Sequence, residues 1–361
     1  MAKAPLHQSG RLGLLWLLLW SLSQNACAQP GGRSGGSLIA DDPLWQAYAA
    51  LFITPGGRVI DTGNGGVSHS EGQGWGLLLA VAQGDRERFD LIWRWTQENL
   101  QIRSDALSAW RYDPAQEPPV HDRNNASDGD LMIAWAMWRA WERWREPHYR
   151  DISQRVRADI ASHLVREHGG YTVLLPGRDG FEHDDRLHLN LSYLVMPALR
   201  EFHRVDAGGP WQALYRDAQQ LLDESRTGVL QLPPDWLALA ADGSVAPAPD
   251  QPPRFGFEAV RIPLFFMWGE AHHGCQALCD IQRFWEEPAP PAWVDVRNGR
   301  QAEYSLSPGG LAVRALLRQE HQLPAEARDL ATQDYYSASL AMLTRLAMIE
   351  RDTRRPVLLC Q

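Results

Sequence analysis

Apolar residues recur at helical spacing along most of the chain, whereas the alternation that marks a strand is rare. The pattern predicts about eleven helices, mostly about ten to twenty residues long, an ordinary length in globular proteins. Their predicted starts lie near Pro43, Gly72, Arg86, Asp128, His148, Asn190, Trp211, Phe257, Cys279, Gly309 and Tyr335. Proline-rich segments at 114–120, 246–253 and 288–291 predict loops. The strongest strand signal, at residues 170–175, indicates a short hairpin element.

The same pattern favours a single all-α domain over residues 43–361, built from paired antiparallel helices. None of the proline-rich loops is long enough to act as a linker between two domains. Before this domain, residues 29–42 begin with a Gly/Ser-rich stretch and are expected to form a mobile N-terminal segment.

Residues 1–28 have the features of a cleavable export signal. Two cationic residues precede an apolar core at 12–22, which is too short to span a bilayer. Ala-Cys-Ala at 26–28 resembles a small-residue cleavage site, so we expect cleavage after it and export to the periplasm without membrane insertion. A lipoprotein is the weaker alternative, because Cys27 lacks the apolar residue expected three positions earlier.

The chain carries a formal net charge of −9, which becomes −11 once the export signal and its two cations are removed. An acidic chain without a Lys/Arg-rich run is a poor ligand for nucleic acid or an anionic membrane, so both are excluded as partners. A neutral or cationic partner suits this charge better. The 16 tryptophans are many for this length, and aromatic faces stack on the apolar faces of sugar rings.

The predicted mature chain keeps Cys275, Cys279 and Cys360, so at least one thiol is unpaired in an oxidising compartment. His272 and His273 lie just before the first two, which superficially resembles a metal cluster. The spacing matches no strong zinc pattern, so a disulfide or buried thiols are favoured over a metal site. The pairing of the cysteines stays open, and no metal or other cofactor is predicted.

The most distinctive stretch, residues 61–75, sets Glu71 among glycines and small polar residues just before an apolar run. The glycines leave room for a substrate to approach the backbone, and a carboxylate there is a candidate proton donor. The alternative is a capping box, with Ser70 as N-cap, Gln73 at the third helical position and Glu71 stabilised by the helix dipole. Because that dipole favours the ionised form, an acid role requires burial and a second carboxylate to outweigh it.

Two further acidic groups precede apolar helical runs. Asp128 and Asp130 both suit an N-cap, but they cannot cap one turn in the same way, so one is predicted to point into a cleft. Glu258 and Arg261 face each other if helical, and their apolar neighbours favour a buried pair over a solvated one. Acids on three helix starts, many aromatics and no nucleophile triad predict glycoside hydrolysis, which needs one protonated and one ionised carboxyl.

Three motifs resemble glycoside hydrolase family 8. Residues 70–74, Ser-Glu-Gly-Gln-Gly, resemble the segment around that family's catalytic acid, and residues 126–144 are similar to its signature. Residues 232–236, Leu-Pro-Pro-Asp-Trp, resemble the subgroup of periplasmic endoglucanases encoded with bacterial cellulose synthases. The similarity runs in patches over most of the mature chain. It implies an (α/α)6 barrel, a substrate groove across the ends of the inner helices, and an inverting mechanism.

The resemblance also implies roles for individual residues. The expected catalytic residues are Glu71, Glu258 and Asp128, and the expected substrate-binding residues are Tyr193, Trp110, Asp130 and Arg261. By this resemblance Glu71 acts as general acid, and Asp128 contacts the sugar at the cleavage point. Tyr193 helps to hold the attacking water, and Trp110 stacks on a sugar ring.

The expected base departs from the family pattern. Residues 257–261 read Phe-Glu-Ala-Val-Arg where the family usually has Tyr-Asp-Ala-x-Arg, so Glu258 replaces the aspartate that acts as base. The extra C–C bond moves the carboxylate by ~1.5 Å, which still fits the roughly 6.5–9.5 Å between the carboxyls of inverting sites. A misplacement of about 1 Å nevertheless costs on the order of 10²-fold in rate. Leucine at position 191 likewise replaces the proline of the family's Asn-Pro-Ser-Tyr motif.

We therefore expect a periplasmic endo-β-1,4-glucanase that hydrolyses cellulose or cello-oligosaccharides and trims nascent cellulose. The glucan is the expected partner, and the cellulose synthase complex is a candidate partner. A xylanase or chitosanase of the same fold is one alternative, and the acidic net charge suits cationic chitosan by steering. A glucan-binding protein that has lost catalysis through the change at Glu258 is another.

Overall fold

The computed structural model describes residues 42–351, and all of them fall within one compact unit. The export signal, nearly all of the predicted N-terminal segment, Cys27 and Cys360 lie outside the described residues. The predictions for those parts, and the bounds of the domain, stay predictions. Within residues 42–351, no helix has both the length and the apolarity that crossing a membrane requires.

Helices dominate the described part of the chain, and the strands are short. The helices are α1 (Pro43–Phe52), α2 (Ser70–Gln83), α3 (Arg86–Asn99), α4 (Ser127–Trp144), α5 (Pro147–His163), α6 (Met196–Val205), α7 (Trp211–Glu224), α8 (Arg261–Trp268), α9 (Gln276–Phe284), α10 (Pro308–Leu317), α11 (Ala325–Arg328) and α12 (Tyr335–Glu350). The strands are β1 (Ser68–His69), β2 (Arg111–Tyr112), β3 (Val165–His168), β4 (Tyr171–Leu174), β5 (Arg186–Leu189), β6 (Leu237–Ala240), β7 (Val245–Pro247), β8 (Arg254–Phe255) and β9 (Val294–Asp295). They form antiparallel ladders β1–β2, β3–β4, β5–β6–β7 and β8–β9.

The even-numbered helices contact one another in chain order, and α12 returns to contact α2, so these helices close into a ring. The odd-numbered helices α3, α5 and α7 pack outside α2, α4 and α6, and α1 packs on α12. Burial follows this division, because every residue of α2 except Glu71 is buried, whereas α3 buries a single stripe that includes Phe89 and Ile92. The arrangement is an (α/α)6 barrel, which confirms the predicted fold class.

Most predicted helix starts are confirmed within a few residues. The helices predicted just before α6 and α8 begin later, at Met196 and Arg261, because turns such as the 3₁₀ turn Leu191–Tyr193 precede them. The short helix α11 was not predicted. The predicted strand is confirmed as β4, which pairs with β3 in a hairpin. The predicted loop at 246–253 is partly wrong, because its start belongs to β7.

Helices α2 and α4 pack more closely than helices with ordinary side chains can. A Cβ on Gly74 would lie 2.7 Å from Met132 Cβ, and one on Gly129 would lie 2.6 Å from the backbone N of Glu71. The glycines of α2 therefore serve helix packing, whereas Gly63, in the glycine-rich loop before α2, lines a cavity. This close approach brings the first turn of α2, which carries Glu71, against the first turn of α4.

The capping box considered at the start of α2 is wrong. Helix α2 already begins at Ser70, so its N-cap is His69, whose side chain makes no capping hydrogen bond. The side chain of Gln73 turns away from the helix start. Its Oε1 accepts a hydrogen bond from Val59 N at 2.7 Å, and its Nε2 donates to Thr96 Oγ1 at 2.9 Å. Gln73 thus ties α2 to the preceding loop and to α3.

Gly129→Ala should destabilise the protein, because the added methyl meets the backbone of Glu71, which side-chain rotation cannot move. We expect a loss of about 1–3 kcal/mol in the free energy of unfolding, as for other overpacked sites, measured by urea denaturation. Gly208→Ala is the matched control, since a Cβ there meets nothing within 4 Å. Its free energy of unfolding should equal or exceed that of the wild type. Equal stability of the two variants would contradict the close α2–α4 contact.

Candidate active site

A cavity of about 590 Å³ opens where the N-termini of the inner helices α2, α4, α8 and α12 meet. The partial positive charge at helix N-termini favours anionic side chains in this place. The cavity is lined by Asp61, Gly63, Asn64, His69, Ser70, Glu71, Trp110, Ala126, Asp128, Tyr193, Phe257, Glu258, Arg261, Asp334, Tyr335 and Tyr336. Its wall combines carboxylates with aromatic rings, which suits a ligand that has both hydroxyl groups and apolar faces.

Arg261, the first residue of α8, is the cation on which three acids of the cavity converge. Only 2% of its side chain is exposed. Its Nη1 donates to Glu71 Oε2 at 2.6 Å and to Asp128 Oδ2 at 3.2 Å, and its Nη2 donates to Glu258 Oε2. Carboxylates from α2, from α4 and from the turn before α8 therefore meet on one guanidinium. The predicted burial of the Glu258–Arg261 pair is confirmed for the arginine, while the glutamate stays 30% exposed.

Asp128 and Glu71 lie next to each other on this guanidinium. Burial and then the charge of Glu71 raise the pKa of Asp128 well above its usual range, although Arg261 opposes them. The side chain of Asp128 is 3% exposed, whereas that of Glu71 is 21% exposed. Asp128 therefore keeps its proton to higher pH than an isolated aspartic acid does, and Glu71 is the member of the pair that a ligand reaches more easily.

Glu258 lies in the turn before α8 and is held from the side by the Asn-Leu-Ser-Tyr motif. Asn190 Nδ2 donates to Glu258 Oε2 at 3.1 Å. Asn190 Oδ1 also accepts from the backbone N and the hydroxyl of Ser192, at 3.0 and 2.7 Å. These bonds shape the 3₁₀ turn that carries Tyr193. The motif therefore contacts Glu258 through Asn190 and the cavity through Tyr193, although leucine replaces the usual proline.

Tyr193 and Trp110 are the expected binding residues that bring rings to the cavity. The guanidinium of Arg261 lies 5.5 Å from the centre of the Tyr193 ring. Burial raises the pKa of Tyr193 well above its usual range, so its hydroxyl stays neutral. Trp110 stacks on His69 with ring centres 6.0 Å apart, and its Nε1 donates to Asp122 Oδ2 at 2.8 Å. Both contacts hold the indole in place.

Asp130 is the expected binding residue that the structure does not bring to the cavity. It is fully buried, and its carboxylate accepts from Ser108 N and from Asn125 Nδ2, each at 2.8 Å. Burial raises the pKa of Asp130 to about 7. Of the two acids on α4, only Asp128 points into the cleft, as predicted, and neither caps the helix, whose N-cap Ala126 forms no side-chain hydrogen bond. Asp130 instead fastens the loops before α4.

Several cavity residues were not singled out from the sequence as site residues: Asp61, Asn64, His69, Phe257, Asp334, Tyr335 and Tyr336. Asp61 and His69 belong to the glycine-rich stretch that was recognised, and His69 Nδ1 lies 3.8 Å from Asp61 Oδ2. Tyr336 donates its hydroxyl hydrogen to the carbonyl of Phe257. The sequence predicts that a helix begins at Tyr335, but no local signal places that helix start in the cavity, because its residues reach the cavity only when the ring of helices closes.

The His/Cys segment lies away from this cavity. Among residues 42–351, no group of three or more His, Cys, Asp and Glu side chains is placed to hold a metal ion. His272 is buried against His273, with ring centres 4.5 Å apart, and burial lowers the pKa of His272 to about 4. Cys275 is a buried free thiol, whereas Cys279 is disulfide-bonded.

Comparison with known proteins decides the family. The sequence model described as "Glycosyl hydrolases family 8" matches residues 12–350. The chain belongs to glycoside hydrolase family 8. It is 42% identical to an endoglucanase of Cellulomonas uda over 293 residues, which cover 80% of each chain. It is 41% identical to a probable endoglucanase of Novacetimonas hansenii over 311 residues, 85% of this chain and 90% of the relative.

A solved structure of the same family has the same fold. The endoglucanase Cel10 of Klebsiella pneumoniae, described as a family 8 glycosyl hydrolase, matches with a TM-score of 0.81 and 42% identity. The match covers 87% of this chain and 100% of the other. The family resemblance and the enzyme class expected from the sequence, a glycoside hydrolase, are thereby confirmed.

Arg261→Met should strongly destabilise this family 8 member, because it leaves carboxylates facing one another without a cation. Removing one partner of a buried ion pair costs about 3–5 kcal/mol, and we expect a loss of that order in the free energy of unfolding at neutral pH. The difference from the wild type should shrink as the pH falls, since protonation removes the carboxylate charges. Urea denaturation at neutral and mildly acidic pH measures both effects.

Arg283→Met is the matched control for that experiment. Arg283 pairs with Asp280 at 2.7 Å, but its own side chain is 66% exposed. We expect this variant to lose less than about 1 kcal/mol, because the guanidinium it removes is exposed and the buried Asp280 keeps a second cation, Arg226, at 3.2 Å. If Arg261→Met behaved like the control at both pH values, Arg261 would not be the group that holds the three carboxylates together.

Proposed function

We propose that the protein is an inverting endo-β-1,4-glucanase that hydrolyses cellulose or cello-oligosaccharides. The observation that carries the proposal is the meeting of Glu71, Asp128 and Glu258 on Arg261, in a cavity whose wall also presents aromatic rings. Relatives named endoglucanase, 41% and 42% identical over most of the chain, support the same substrate class. The inverting outcome is the one that the family resemblance implies.

Glu71 is the proposed general acid. Its side chain is accessible from the cavity and lies beside Asp128, whose raised pKa keeps a proton close to it. In the proposed reaction Glu71 gives a proton to the oxygen that bridges two glucose units, while the bond from that oxygen to the anomeric carbon breaks. Asp128 contacts the sugar at this point of cleavage.

Glu258 is the proposed general base. It takes a proton from a water molecule while the water oxygen forms a bond to the anomeric carbon, on the face opposite the leaving group. Tyr193, with its neutral hydroxyl, holds that water, and Trp110 stacks on a sugar ring. The product has an α-configured reducing end. Glu71 and Glu258 then return to their starting protonation states by exchange with solvent.

Glu71→Gln should remove proton donation while keeping the size of the side chain. Hydrolysis of cellopentaose should fall by about 10²–10⁴-fold, whereas a dinitrophenyl cello-oligosaccharide, whose leaving group needs no protonation, should keep most of its rate. Glu303→Gln, at an exposed glutamate outside the cavity, is the control and should keep both activities. An unchanged rate of Glu71→Gln on cellopentaose would refute the acid assignment.

Proton NMR of freshly released wild-type products tests the proposed inversion. The α-anomer should appear first.

Shortening the base tests the alternative of a glucan-binding protein without catalysis. If Glu258 is the working base, Glu258→Asp withdraws the carboxylate by ~1.5 Å and should lower kcat on cellopentaose on the order of 10²-fold. The KM should change much less, because the groove itself is intact. A large gain in kcat would instead mark the natural chain as catalytically impaired.

Hydrolysis of chitosan is a second candidate function, favoured by the charge of the cavity. Five carboxylic side chains line the cavity, and Arg261 is the only arginine or lysine among its lining residues. Such an excess of acid attracts a cationic amino sugar. Reducing ends released from carboxymethylcellulose, xylan and chitosan separate the candidates, and we expect carboxymethylcellulose to be hydrolysed fastest.

The proposed setting is the periplasm, where the enzyme trims cellulose during its secretion beside the cellulose synthase complex. Two sequence features support it, the predicted export signal at 1–28 and the Leu-Pro-Pro-Asp-Trp motif at 232–236. Cell fractionation and N-terminal sequencing of the secreted chain test the setting, and we expect a mature chain that begins at Gln29.

A further inference from the structure

The Leu-Pro-Pro-Asp-Trp motif lies at the end of the β5–β6 ladder that faces Glu258. In this ladder Leu189 is paired with Leu237, so the residue after β5 and the residues before β6 emerge at the same end. The residue after β5 is Asn190, whose side-chain amide donates a hydrogen bond to the carboxylate of Glu258. The residues before β6 include Asp235, which is not among the cavity-lining residues and has no role in the proposed reaction.

Asp235 binds the backbone on both sides of Glu258. Its Oδ1 accepts from Gly256 N at 2.9 Å and from Ala259 N at 2.8 Å. A Cβ on Gly256 would lie 3.1 Å from Asp235 Oδ2, so a glycine lets the carboxylate come this close. One side chain thus fixes the turn from residue 256 to residue 259.

Holding the half-buried carboxylate of Asp235 against this turn costs free energy, because the carboxylate loses part of its hydration. Desolvation, and to a smaller extent the charge of Glu258, raise the pKa of Asp235 to about 7, although the backbone donors oppose this rise. The ladder end therefore holds Glu258 at two points. Asn190 holds its carboxylate, and Asp235 holds its backbone.

We infer that Asp235 is a positioning residue for the proposed base, because its contacts with the turn set where the carboxylate of Glu258 lies. The inference rests on the proposed function, since it needs Glu258 to act as the base. It assigns the aspartate of the Leu-Pro-Pro-Asp-Trp motif to the water-activating half of the site. Asp235 contacts neither substrate nor water in this role.

The test compares Asp235→Ala with Asp235→Asn. The amide oxygen of asparagine accepts the same two N–H groups as Oδ1 does, whereas alanine accepts none. With a dinitrophenyl cellotrioside, Asp235→Ala should lose about 10²-fold in kcat, as a misplacement of about 1 Å does, with little change in KM. Asp235→Asn should keep most of the wild-type rate. Asp242→Ala, which removes an exposed aspartate that accepts from Ser244 N, is the control and should behave as wild type.

Azide separates a positioning role from a general loss of structure. Azide attacks the anomeric carbon without giving up a proton, so it needs no base, and the dinitrophenolate leaves as the glycosyl azide forms. It should therefore restore turnover, with an α-cellotriosyl azide as product, in both Glu258→Ala and Asp235→Ala. It should not restore cellopentaose hydrolysis in Glu71→Gln, which lacks the acid.

The outcomes distinguish this inference from the proposed function. If Glu258→Ala is impaired and rescued by azide while Asp235→Ala is unimpaired, or impaired without rescue, only the positioning role is overturned. If Glu258→Ala keeps its full rate, the base assignment fails and the positioning role fails with it. Loss of rate in Asp235→Asn equal to that in Asp235→Ala would also overturn the inference, because the hydrogen bonds would then not matter. Thermal unfolding of each variant verifies that the compared proteins are folded.

Discussion

The candidate site depends on one buried cation. The guanidinium of Arg261 donates to Glu71, Asp128 and Glu258, which come from three separate parts of the chain. Burying charged groups is costly, and attraction compensates only when each acid has a donor in hydrogen-bond reach. A planar guanidinium has several donors in fixed directions, so it can donate to all three carboxylates at once. A lysine ammonium, a single point of charge, could not reach the three carboxylates in the same way. The positions of the acids are therefore set mutually, through Arg261.

The barrel supplies the frame for that cation. Glu71 and Asp128 are the second residues of α2 and α4, and Glu258 comes three residues before α8 begins. All three helices present their N-termini to the cavity, where the helix dipoles favour negative charge. Gly129 lets α2 and α4 approach each other, and the end of the β5–β6 ladder supports Glu258 from the other side. The acids are thus held at helix starts and at the end of a ladder, and their exposed side-chain fraction rises from 3% for Asp128 to 21% for Glu71 and 30% for Glu258.

Local rules predicted the parts of this arrangement that depend on neighbours in sequence. Helical periodicity located most helices, and the spacing of Glu258 and Arg261 predicted their contact although a turn separates Glu258 from α8. The same rules assigned Gln73 to a capping box. The fold instead uses its amide to join α2 to a loop and to α3, because a buried amide must satisfy both its donor and its acceptor. Asp130 was grouped with Asp128 by motif, yet two positions along a helix turn its carboxylate toward other loops.

By itself, the sequence determined the helical composition, the family and the identity of the three acids, since periodicity and short motifs are properties of neighbouring residues. Only the tertiary structure decided that these acids share Arg261 and that Asp128 is the one driven toward its protonated form by burial. It also decided that α12 and its N-cap Asp334 reach the cavity, with Tyr335 and Tyr336. Distances between carboxylates and their loss of hydration arise when helices far apart in the chain close into a ring. The pattern of residues within a single segment therefore cannot predict these distances or this loss of hydration.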